Sequence, residues 1–279
     1  MKIILFYALF LLGSAGLTAQ HSTMNFSDSP FTLNHQSLLL VPFESKMFLS
    51  DITKELMEHN QMKYEEIVEQ FTNGIDQSIY HTFRKKCDVS SFYALNNEAA
   101  KSNLSYIYQN LKLEYELISK TKKQSKLKQL KQKFQSNRDD DYHRGELREG
   151  QIITKKDERE RYMKAVVEDQ KMLDSMHFVF NNTYFLFVNQ LDIKNQYKGA
   201  IAMQNMNYQR AITLHYTLYR KSGEILTTGI SKTTFPATQN DINVIIKNYF
   251  PILAQNIYQD LFETEADSKE KTSNFRIWK

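Results

Sequence analysis

Between Ile212 and Tyr219 the chain alternates without a break: Ile212, Leu214, Tyr216 and Leu218 are separated by Thr213, His215 and Thr217, with Tyr219 closing the second row. A period of two puts one row on each face of a strand. Lys221-Ser222-Gly223 then supplies a turn, because glycine takes positive φ at little steric cost. Glu224 to Ile230 returns as the antiparallel partner. This hairpin commits the second half of the chain to a sheet. The alternation predicts a strand with one buried face and places His215 on the outward phase.

A first strand of the same sheet lies upstream. Ser37-Leu38-Leu39-Leu40-Val41-Pro42-Phe43 is a continuous apolar run, the mark of a strand buried on both faces, and Pro42 ends its ladder for want of a donor. Ser50 and Asp51 offer capping oxygens before Ile52, Leu56 and Met57. A longer helix is predicted over residues 62 to 86, where Ile67, Phe71, Ile75 and Ile79 recur every four positions and Phe83 continues the row. His177-Phe178-Val179-Phe180 and Tyr184 to Val188 are dense in β-formers and read as strand. The last helix starts near Asn240 and Asp241 and runs past Leu261, with Pro251 expected to kink or divide it.

Residues 96 to 176 carry a different pattern. Leu104, Ile107, Leu111 and Ile118 have helical spacing, and so do Met163, Val166 and Leu173 beyond a break that contains Asp139-Asp140-Asp141. We read two long antiparallel helices inserted between the halves of the domain. From Lys120 to Arg138 there are eight basic residues and no acidic one, so the net charge is local and uncompensated. Lys122, Lys123, Lys126, Lys128, Lys131 and Lys133 are the candidate partner-binding residues, since such a run attracts phosphates, anionic lipid or an acidic protein face. Genome-wide lysine enrichment, pairing with acidic residues of the return helix, or solubilisation of an arm would explain the same run without a partner.

The fold class is therefore α/β, of α+β type: a small mixed sheet covered by helices on one face, with an inserted long charged helical hairpin. Its halves are residues 37–95 and 177–262, the insertion is 96–176, and 20–36 and 263–279 read as a flexible lead-in and tail. The tail ends on Phe275, Ile277 and Trp278. Residues 1–19 have the layout of a signal peptide, with Lys2, an apolar core from Ile3 to Leu12 too short to span a bilayer, and Leu17-Thr18-Ala19 before the cut. The expected location is periplasmic or secreted, in solution after cleavage. Cys87 is the single cysteine, so no internal disulfide can form. It is either a small buried hydrophobe after a helix, or an intermolecular bridge or reactive thiol beside Lys85 and Lys86.

Catalytic frameworks are missing from the sequence. The seven histidines form no H-x-x-x-H or H-E-x-x-H pair, and no G-x-S-x-G or phosphate-loop motif occurs. No metal or cofactor is expected. Asp139-Asp140-Asp141-Tyr142-His143 reads as a solvated loop, because the sixth position of a calcium loop would fall on Arg144 rather than glycine. Asp51, Glu55 and Glu58, and likewise Glu65, Glu66 and Glu69, read as wet helix faces with no second polar cluster to face them. A formal charge of +4 is far from that of a dedicated nucleic-acid binder, and the basic run lacks the aromatics of a stacking groove.

The stretch from Ile212 to Phe235, ITLHYTLYRKSGEILTTGISKTTF, together with the strand from Leu38 to Phe43, resembles the periplasmic α/β domain shared by the curli secretion lipoprotein CsgG, the penicillin-binding-protein activator LpoB and the N-terminal domain of TolB. The resemblance covers about half of the chain after the leader. It implies an envelope-assembly or adaptor module without catalysis of its own. The lipid-bearing cysteine of CsgG and LpoB is missing, and the charged, helical reading of 96–176 is unlike the amphipathic hairpins of pore-forming members. The expected function is a non-enzymatic exported adaptor whose partner is another envelope protein, an anionic membrane surface or a second copy of the chain. A periplasmic holdase-type chaperone with basic arms is the alternative, and a hydrolase with a cryptic site stands behind both.

Overall fold

The computed structural model describes residues 22–25, 33, 35–95, 98–118, 146–148, 151–153, 160–197 and 207–262. The leader, the lysine run, Asp139–Asp141 and the tail from Glu263 lie outside the described residues.

Chain order runs β1 (Ser22–Asn25), β2 (Ser37–Val41), β3 (Phe48–Ser50), α1 (Thr53–Asn60), α2 (Tyr64–Phe83), β4 (Asp88–Ser91), α3 (Phe92–Leu95), α4 (Glu98–Asn110) and β5 (Leu111–Leu117). It continues through β6 (Glu146–Arg148), β7 (Gln151–Ile153), β8 (Arg161–Val167), α5 (Gln170–Phe180), β9 (Tyr184–Gln196), β10 (Gln209–Arg220), β11 (Ile225–Pro236) and α6 (Ile242–Phe262). One mixed sheet holds β1-β11-β10-β9-β2-β4, with β3 also on β9. The β9–β10–β11 meander is antiparallel, whereas β2 runs parallel to both β4 and β9. The α/β class is thus borne out. So is the turn, where Gly223 sits at φ +85°.

Helices cover the first face of the sheet. The stripe Ile67, Phe71, Ile75, Ile79 and Phe83 of α2 packs with Leu56, Ile245, Leu253 and Ile257 over Leu38, Leu40, Leu186, Ile212, Leu214, Tyr216 and Leu218. The two long helices touch closely at Gly74, where an added Cβ would stand 2.7 Å from Ile246 Cγ2. Phe71 meets Phe250 edge to face at 5.4 Å between ring centres. Pro251 is accommodated inside one continuous helix rather than dividing it.

The second face is covered too, which corrects the one-sided reading. Leu39, Val41, Phe185, Phe187 and Tyr219 pack with Phe92, Ala100, Ile107, Ala165, Met172 and Leu173. Both rows of β10 are therefore buried. The inserted pair of long helices is not what forms there: α4 ends at Asn110, and the flanks of the insertion are strands, β5 and β8, paired antiparallel from Leu111↔Val167 to Leu117↔Arg161. The reason is in Leu-Lys-Leu-Glu-Tyr-Glu-Leu, a strict period of two over 111–117 that overrides the helical spacing continued from α4. His177 to Phe180, read as strand, closes α5 instead. Asp169 caps that helix through Lys171 N–H at 2.9 Å, and Asn181 stops it in the left-handed region at φ 56°. The lead-in also changes, because β1 pairs with β11 and Leu33 is buried in the core. Asp51 does not cap α1; its Oδ2 accepts Asn195 N–H at 3.0 Å, and Ser50 Oγ accepts Ile52 N–H.

Candidate functional site: the root of the inserted arm

The structure gives the insertion a root. Ile118 N–H donates to Glu160 O at 2.9 Å, one rung beyond the Leu117↔Arg161 pair. Residues 119–159 therefore leave and re-enter the body on adjacent strands. All six candidate lysines belong to this excursion, and so does the β6–β7 hairpin. The lysines lie outside the described residues.

How the ribbon β5–β8 is held explains the second row of β10. In an antiparallel pair alternate residues turn their peptide groups away from the partner strand. On β8 these are Met163, Ala165 and Val167, and side chains of the sheet take them up one by one. Met163 N–H donates to His215 Nδ1 at 2.9 Å, Ala165 N–H to Thr217 Oγ1 at 3.1 Å and Val167 N–H to Tyr219 Oη at 3.2 Å. In return Tyr219 Oη donates to Ala165 O at 3.0 Å and Asn189 Nδ2 to Met163 O at 2.9 Å. Three side chains two residues apart thus complete the edge of a strand that no other strand covers among the described residues. Exposed edges invite foreign strands, and this one is closed by polar groups in matching register.

His215 is accordingly buried, at 3% exposure, and not on a wet face as the sequence suggested. Because Nδ1 accepts a fixed backbone donor, the ring proton belongs on Nε2. That nitrogen stands 3.4 Å from Asp192 Oδ2. Asp192 Oδ1 accepts from Gln190 Nε2 at 2.5 Å, and Gln190 Oε1 accepts from Tyr115 Oη at 2.8 Å, so the network returns to β5. Burial pushes the Asp192 carboxyl up, but His215, Gln190 and Lys194 together outweigh it and hold the group below the usual carboxylate range. Nδ1 is thus taken by a backbone amide, while the buried Nε2 faces the carboxylate without a hydrogen bond among the described residues.

At the exit the ribbon is fastened from its outer side. Glu116 accepts from Lys164 Nζ at 2.8 Å and from the Tyr162 hydroxyl; burial raises its carboxyl, and these two partners more than offset that. Glu160 lies 3.4 Å from Lys232 on β11. Cys87 resolves toward the buried alternative. Its Sγ donates weakly to Phe83 O, and burial, then the Asp88 charge, push the thiol up to about 12, opposite to an activated nucleophile. Among the described residues no three of His, Cys, Asp and Glu gather as metal ligands. Nor is any helix among them long and apolar enough to cross a membrane.

A signal for the root was present in the sequence. The outward row of β10 is Thr, His, Thr, Tyr, all β-favouring hydrogen-bonding groups, without the Lys and Glu that line the outer side of β5 at Lys112, Glu114 and Glu116. A row of that kind asks for polar partners rather than water.

The chain matches no protein-family model and no curated protein. Among solved structures it is similar to the PelC dodecamer from Paraburkholderia phytofirmans, with 5% identity, 88% of this chain and 100% of that chain covered, and a TM-score of 0.34. A single-residue variant of that dodecamer gives 6% identity, coverage of 86% and 96%, and a TM-score of 0.32. Scores this low establish no shared fold.

Proposed function

We propose that this chain is an exported, non-enzymatic adaptor that engages a protein of the cell envelope through the excursion 119–159, with Lys122, Lys123, Lys126, Lys128, Lys131 and Lys133 as its contact residues. The observation that supports the reading is the joined root: the excursion begins and ends on one antiparallel rung, above a ribbon fastened to the sheet by His215, Thr217, Tyr219 and Asn189. A basic run carried on such a base is presented to a partner at low cost in ordering the body. Export is the expectation of the leader, and a role in envelope assembly or secretion is that of the resemblance to the CsgG, LpoB and TolB domain.

The test compares the intact protein with a form in which 119–159 is replaced by Asn-Gly, using crosslinking in living cells and affinity capture. Recovery of one recurrent envelope protein by the intact form alone supports the adaptor. Capture of many unrelated exported proteins would instead favour a holdase-type chaperone. Equal recovery by both forms would remove the arm from the contact.

A further inference from the structure

The helix α2 turns a second row of side chains away from the core, and α3 and α4 stand opposite it. One cleft of about 360 Å³ is walled by Tyr64, Glu65, Val68, Glu69 and Tyr93. A second, of about 330 Å³, runs from Glu69 and Tyr93 past Phe92 to Lys101 and Leu104. The two share Glu69 and Tyr93. They lie beside the edge strand β4, where the two packed layers of the molecule meet: Val68 belongs to one core and Phe92 to the other.

The carboxylates here have the facing surface that the sequence did not reveal. Glu65 and Glu69 are one helical turn apart and exposed, and neither makes an ion pair among the described residues. Like charges at that spacing repel. Lys101, the cation in the lining, is already paired with Glu98 at 3.0 Å. Asp76 deepens the negative potential. It is 3% exposed, its Oδ2 accepts from Ser91 Oγ at 2.5 Å, and its Oδ1 has no partner among the described residues. Ser91 Oγ in turn accepts Tyr93 N–H at 3.1 Å, which fixes the residue that both clefts share. Burial, opposed by a hydrogen bond with Thr72 and helped by the charges of Asp76 and Glu69, pushes the Tyr93 phenol up to about 12, so the ring stays neutral.

We propose that the paired clefts bind the alkylammonium or guanidinium side chains of a basic segment on a protein partner. Half-buried Leu104, Tyr64 and Tyr93 line the clefts above the buried Val68 and Phe92 and would pack the methylene stem, Glu65 and Glu69 would meet the cationic head, and an aromatic ring favours a cation beside it. Two clefts meeting at one ring suit two side chains of one segment. This site is on different elements from the lysine excursion and stands or falls independently of it.

The probe is a fluorescein-labelled hexalysine peptide, followed by anisotropy at low salt with the chain from Gln20 onward. Saturable binding is expected, weakened at least tenfold in E65Q/E69Q and unchanged in the control E55Q/E58Q on α1, with equal melting temperatures for all three proteins. Zero-length carbodiimide coupling should join the peptide to Glu65 or Glu69. Equal affinity for both double variants, coupling confined to other acids, or spermidine competing as well as hexalysine on a per-charge basis would each overturn the proposal, the last by making a free polyamine the ligand.

Discussion

Asp76 shows how one residue can work against the stability of the body that holds it. Burial raises its carboxyl from 3.8 to about 6, and the Ser91 hydrogen bond recovers only part of that cost. Between those two values the folded chain binds more protons than the unfolded one, so stability falls as pH rises through the window, and the penalty is complete above pH 6. A difference of two units is on the order of 3 kcal/mol. Asp76→Asn keeps an acceptor for Ser91 and removes the charge. Urea unfolding should show a gain of about 1 to 3 kcal/mol at pH 7.5 that vanishes at pH 4. A gain of the same size at both pH values would mean the charge is not its source. Asp192 has the opposite sign: its lowered carboxyl contributes stability above the ordinary carboxylate range that is lost as pH falls through its folded value. No signal in the sequence separates these two acids. Each follows an isoleucine or leucine, and only the fold decides the direction: burial against the single Ser91 hydroxyl raises one, whereas His215, Gln190 and Lys194 outweigh burial and lower the other.

Among the elements, those with a complete pattern of their own were legible. The stripe of α2 and the alternation of β10 each bury the row they advertise, and the run Ser37–Val41 is enclosed by β4 and β9 as a doubly buried strand should be. What failed was the insertion's flanks and the end of α5, where two periods compete over a few residues and the packing partner settles the matter. Leu111 to Leu117 becomes strand because β8 is there to pair with it, and His177 to Phe180 stays helical because Phe180 packs on Phe92 at 5.0 Å. The partner that decides β8 is the sheet's second face. Thr217 accepts both Ala165 N–H and Asn189 Nδ2, at 3.1 and 2.8 Å. Thr217→Val is nearly isosteric and orphans two buried donors, so it should cost about 2 to 4 kcal/mol in denaturant unfolding and speed amide exchange at Ala165. Thr213→Val, half-buried in the same row, should stay within about 0.5 kcal/mol. Equal effects at the two positions would show the row to be ordinary surface. On the other face, Gly74→Ala must displace Ile246 and the Phe250 ring, at 2.7 and 3.1 Å from the new Cβ, with an expected loss of about 1 to 3 kcal/mol. A neutral result there would mean that α6 slides freely over α2.

At the scale of the whole molecule, the layout separates a body from an excursion, and the separation has a thermodynamic consequence. The described residues cover both faces of the sheet, and the ribbon's open edge is completed by side chains that belong to β9 and β10. Among the described residues the excursion is joined to the body at the rung from Ile118 to Glu160, where Glu160 is braced by Lys232. Joining those two residues through Asn-Gly makes a two-residue hairpin of the type whose twist matches antiparallel strands. Replacing a loop of roughly forty residues by two lowers the entropy lost on closing it, which the logarithmic law puts at about 2 to 3 kcal/mol in favour of the shortened chain. The shortened protein should therefore unfold cooperatively at a midpoint equal to or above that of the intact chain, with the m-value smaller only by the surface that the excursion itself buries. A large fall in midpoint would show that the excursion packs into the body and is part of its core. Its lysines would then have to be reread as structural charges, and the contact surface sought elsewhere on the molecule.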